Sequence, residues 1–100
     1  MNNYKLEYQK DENNQMNQLT FSGELSFGHI QYIKDETDEY TRVNKPLQLI
    51  IKDVEMLDLS FIQFIIALKN HHPENKITLN INDEILDLIK VSGFYEILIS

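Results

Sequence analysis

Three carboxylates fall close together in the middle of this chain, at Asp53, Glu55 and Asp58, and Ser60 follows them. Neighbouring carboxylates can act as general acid and base when burial pulls their pKa values apart. A small enzyme or ligand binder could be built on such a cluster, although a strand-to-helix loop also holds acids simply because they are polar. His71 and His72 suggest a metal, but adjacent helical side chains point about 100° apart and do not readily share one ion. A solvated helix end, where the dipole favours histidine, explains them more simply. His29 stands alone. The chain has no cysteine, which excludes disulfides and thiolate metal sites. Only three glycines are present, and no nucleophile elbow, phosphate-binding loop or dinucleotide fingerprint is found. The expectation is no catalytic residue, no metal and no cofactor.

The elements that position these residues follow from periodicity. "YKLEYQK" alternates, with Tyr4, Leu6 and Tyr8 on one side, and "NQLTFSG" alternates again after the turn formers of "DENN". Together they predict an antiparallel hairpin. Ile30, Ile33, Thr37 and Tyr40 then recur at helical spacing, with Val43 after them, until "NKP" breaks the pattern. "LQLIIKDV" reads as a strand, and Ile50 opposite Leu47, Leu49 and Ile51 predicts cover on both faces. An apolar helix runs to about Asn70, before "HHPEN". "KITLNIN" is a further alternating strand. "DEILDLIKVSG" is a helix with Asn82 as N-cap, Asp83 and Glu84 in the first turn, Lys90 near the end and Gly93 beyond it. "FYEILIS" fits a short strand or turn. The order β-β-α-β-α-β-α predicts one α/β domain over residues 1–100, with a mixed sheet: an antiparallel hairpin, then parallel strands joined by right-handed crossovers.

Charge and length narrow the partners. The net charge is −7, with 16 acids against nine bases, which argues against nucleic acid and anionic membrane surfaces. Four of the acids lie in "KDETDEY", read as a solvated helix face. No apolar run approaches the roughly 20 residues of a membrane span, and "MNNYKLEYQK" has no signal-peptide core, so a cytoplasmic protein without direct membrane insertion is expected.

The junction "MLDLSFIQFI" carries the most information. Ser60 and Gln63 fit the S-x-x-Q capping box, which makes Ser60 the expected N-cap. Phe61 to Leu68 holds seven apolar residues and Gln63. Ile62, Ile65 and Ile66 are expected on the sheet. Phe61, Phe64 and Leu68 either meet neighbouring helices or stay exposed as an interaction surface.

The chain resembles a STAS domain, the module shared by sulfate transporters and bacterial anti-sigma factor antagonists. The likeness lies in "LTFSGELSF" (Leu19 to Phe27), in "LQLIIKDVEMLDLSFIQFIIALKN" (Leu47 to Asn70) and in "ITLNINDEILDLIKVSGFYEIL" (Ile77 to Leu98), in that order. It implies a non-enzymatic protein-binding module of bacterial signalling, acting on transcription. In the antagonists, the Ser or Thr after the loop Asp is phosphorylated by a partner kinase, which abolishes binding. Here Asp58 matches the loop Asp, but Leu59 stands at the phosphate-acceptor position, Ser60 at the second hydroxyl position and Phe61 in place of the usual Gly. The usual phosphoswitch is therefore expected to be missing, with Ser60 the remaining candidate acceptor. The resemblance implies a partner-binding surface of Glu24, Ser26, Asp58, Leu59, Ser60 and Phe61. The partner would be an anti-sigma-type kinase or another signalling protein. A chemotaxis-linked system or the ATPase of a lipid-transport ABC complex is the alternative.

Overall fold

A computed structural model of the protein describes residues 3–10, 17–42, 46–71 and 77–93. Seven elements follow one another: β1 (Tyr4–Gln9), β2 (Asn17–Leu25), α1 (Ile30–Thr41), β3 (Leu47–Leu57), α2 (Leu59–His71), β4 (Ile77–Ile81) and α3 (Asp83–Ser92). The fold is α/β, in the order β-β-α-β-α-β-α that the periodicity predicts. The sheet order is β1-β2-β3-β4, antiparallel between β1 and β2 and parallel beyond. His72, Val43 and the proposed terminal strand "FYEILIS" lie outside the described residues.

The parallel strands advance in one direction, β2 to β3 to β4. Crossovers of one hand that step the same way place their helices on the same side of a sheet. Burial agrees: Leu19, Phe21, Leu47, Leu49 and Ile51 are all buried on one face. On the other face Gln18, Thr20, Gln48 and Ile50 are partly accessible, and Lys5, Glu7, Lys52, Thr78 and Asn80 are exposed. The expected cover over Ile50 is thus absent among the described residues. Gln18 donates to Gln48 across the open face at 3.1 Å. Ile50 was a misleading sign, because one apolar residue on a polar face does not require a second layer.

Helix α2 fills the middle of the one core found among the described residues. Phe61, Ile62, Phe64, Ile65 and Leu68 are all buried. Phe21 of β2 meets Phe61 edge-on at 5.3 Å and Phe64 at 6.4 Å, and Phe61 and Phe64 lie 6.0 Å apart. Such tilted pairs add to area burial because ring edges and faces carry opposite partial charge. Of the two outcomes for Phe61, Phe64 and Leu68, burial is the one adopted; α1 packs beside α2 and supplies buried Ile33 and Thr37.

A hydrogen bond and a ring stack join β1 to α1. The Tyr4 hydroxyl donates to Glu36, so one acid of the "KDETDEY" face has a specific partner. Burial, then the Glu36 hydrogen bond and charge, push the Tyr4 phenol up to about 12. Tyr8 stacks on Tyr40 with centroids 4.3 Å apart. Helix α3 is capped as its sequence predicts: Asn82 accepts from the Ile85 amide at 2.9 Å, and Gly93 takes the left-handed conformation with φ 85°.

Candidate functional site

The junction between β3 and α2 is organised by Asp58. The side chain accepts hydrogen bonds from the amides of Ser60 at 3.1 Å and Phe61 at 3.4 Å, and from the Ser60 hydroxyl at 2.5 Å. Its carbonyl accepts the first helical bond, from the Ile62 amide at 3.4 Å. Asp58 is therefore the N-cap of α2. The expected capping box on Ser60 and Gln63 does not form: the helix begins at Leu59, two residues earlier than a Ser60 cap would place it, and Gln63 is exposed. A carboxylate outcompetes a hydroxyl here because it accepts several bonds at once and carries the charge a helix N-terminus favours.

The other oxygen of Asp58 reaches the turn after β2. Oδ2 accepts from the Phe27 amide at 2.7 Å, and the Asp58 amide donates to the Leu25 carbonyl at 3.3 Å. One residue thus ties the β2–α1 turn to the start of α2. Burial alone would raise the Asp58 pKa, but the bonds from Ser60, Phe27 and Phe61 outweigh it and hold the carboxyl below its ordinary value. The sign of the linkage follows. A depressed carboxylate stabilises the fold above its unfolded pKa, roughly 3.9, and that contribution is lost as pH falls through the folded pKa. Asp58→Ala should lower stability at neutral pH by about 1–2 kcal/mol, through the lost cap and the lost bond to the Phe27 amide. In urea titrations below about pH 4, Asp58→Asn should show a shallower loss of stability than the parent. Parallel pH profiles would show that Asp58 is not the coupled group.

The other expected site residues divide. Glu24 lies beside this junction, accepting from Asn3 Nδ2 at 3.3 Å, with His29 Nε2 also 3.3 Å from the same oxygen. The isolated His29 thus has a structural place, against Glu24 and the Tyr4 ring. Ser26 is buried in the turn, and Ser60 is partly buried with its hydroxyl on Asp58. Leu59 is 45 % exposed and remains on the surface. Phe61 does not: it is 1 % exposed and packs inside. It cannot serve as an exposed anchor, because the helix turns this position toward β2. An acidic replacement there would break the core and say nothing about an interface.

The residue that sequence reasoning passed over is Phe27. It is 78 % exposed, in the turn held by Asp58. The available signal was a bulky aromatic directly before Gly28, in a segment otherwise suited to a turn. The acidic cluster does not assemble either. Asp53 and Glu55 line a cleft near α3 whose walls exclude Asp58, and no group of three potential ligands that could hold a metal occurs among the described residues. His71 is the last residue of α2. No helix among the described residues is long and apolar enough to cross a membrane.

Neither a scan against protein-family models nor a search of curated proteins finds a match. The functional reading therefore rests on the junction's own geometry and on the motif order in the sequence.

Proposed function

We propose that the chain is a non-enzymatic, STAS-type module that works by binding another protein through the surface around Asp58. The observation that carries this reading is the pair Phe27 and Leu59, two large apolar side chains exposed at 78 % and 45 % on segments pinned by one carboxylate. Apolar groups on a preorganised frame suit an interface, since little side-chain or loop ordering is left to be done on binding. Glu24 and Asp58 supply polar groups beside them.

The regulator most consistent with the motif order resembles an anti-sigma factor antagonist in the bacterial cytoplasm. It would lack the usual phosphoswitch, because the acceptor position is Leu59. Loss of that hydroxyl also favours a constitutive role, as a subunit docked on a chemotaxis protein or a lipid-transport ATPase. Neighbouring genes divide these readings: a sigma factor or kinase supports the first, a permease and ATPase the second.

Phe27→Asp combined with Leu59→Asp should weaken capture of the partner at least about 30-fold, the loss typical of central apolar anchors. Both side chains are exposed, so the circular dichroism spectrum should not change. The partner is first identified by affinity purification with the parent protein. Undiminished capture by the double variant would move the interface elsewhere.

A further inference from the structure

The C-terminal end of β3 departs from the regular sheet. Its register against β2 shifts between Phe21 and Gly23 and again between Gly23 and Glu24. Each shift adds one residue to β3, setting Lys52 and Asp53 against Ser22 and leaving Glu55 without an opposite number. Bulges of this kind bend a strand and re-aim its side chains. Asp53 takes up part of the bend in the left-handed region, at φ 49°.

Beyond the bulges, β3 and the first turns of α3 enclose a cleft of about 230 Å³. Leu57 and Ile85 form its apolar floor. Met56 and Leu88 stand at its lips, 53 % and 55 % exposed. Asp53, Glu55 and Glu84 surround them, and none of these carboxylates has an ion-pair partner among the described residues.

The size decides what class of occupant fits. Small-molecule sites run to roughly 300–1,000 Å³, so this cleft suits one or two side chains rather than a whole ligand. A notch with methionine and leucine lips suits an apolar anchor. Three carboxylates around it, without ion-pair partners among the described residues, suit cations on either side of that anchor. The net charge of −7 adds long-range attraction of the same sign. The geometry points to a docking site for a basic segment of a partner protein, an apolar side chain flanked by Lys or Arg. This site is separate from the Phe27–Leu59 surface, since neither residue lines the cleft.

The test is a titration of the isotope-labelled protein, at physiological salt, with a synthetic amphipathic peptide of leucine and lysine. A counterpart with glutamate in place of lysine is the control. The lysine peptide should shift the amide signals of Met56, Glu84 and Leu88, and the glutamate peptide should not. Glu55→Gln with Glu84→Gln should weaken binding about tenfold, as expected for two partly screened charge contacts. Leu88→Ser should weaken it as well. Asp38→Asn with Glu39→Gln, on the exposed side of α1, should stay within about twofold, because distant charges are screened. Absence of binding, shifts located elsewhere, or equal weakening by the α1 variant would each overturn the proposal. The Phe27→Asp, Leu59→Asp variant should bind the peptide like the parent, so failure of one surface is distinguishable from failure of the other.

Discussion

Phe61→Ala should destabilise the protein by about 3–5 kcal/mol, the range for deleting a buried aromatic ring. A domain of this size has roughly 5–15 kcal/mol in total, so the variant stands near the limit of folding. Its melting temperature should fall by about 10 °C or more. The reason is position. Phe61 sits against both Phe21 and Phe64, and the methyl of alanine would touch neither ring. Phe61→Leu keeps most of the buried area and should lose much less. Chemical denaturation of the two variants decides the matter. A loss below about 1 kcal/mol for Phe61→Ala would mean that the ring is not packed as described.

Gly23→Ala should be nearly as damaging, at about 2–4 kcal/mol, although it adds only one methyl group. Two effects combine. Gly23 has φ 85°, a conformation that side chains with a Cβ rarely adopt. A Cβ built there would also lie 2.3 Å from the Asn3 carbonyl oxygen, well inside contact distance. That oxygen accepts the Glu24 amide at 2.9 Å, so β1 cannot simply move away without losing a bond. Because Glu24 holds Asn3 and faces His29, damage should spread into the turn that carries Phe27. Urea titration measures the stability loss. A variant as stable as the parent would show that the β1–β2 contact is loose at this point.

The architecture was legible because the elements obey their periods. The hairpin, the stripe from Ile30 to Tyr40, and the Asn82 and Gly93 caps of α3 can each be read from a few residues. Legibility stopped where tertiary contacts choose between two local solutions. Ser60 and Asp58 could both cap α2, and the chain uses Asp58 because its second oxygen is needed by the Phe27 amide. Phe61 and Leu59 are both apolar at the helix start, yet only a helix beginning at Leu59 turns one inward and the other outward. Strand β3 alternates as far as Ile51, then its bulges shift the inward positions toward Val54 and Leu57. No period-two reading anticipates that. The cleft beside α3 exists because of this break, and so Asp53 and Glu55 part company with Asp58.

The one-sided placement of the helices has a consequence for how the molecule comes apart. All buried apolar residues among those described form one cluster, on one side of the sheet. The opposite side has little to hold together on its own. Proteins with two packed layers of helix can lose one and keep a partly ordered remainder. Here α2 is the centre of the only helical layer among the described residues, and lifting it wets the covered faces of β2 and β3. Opening this helix and unfolding the described structure are therefore expected to be one event.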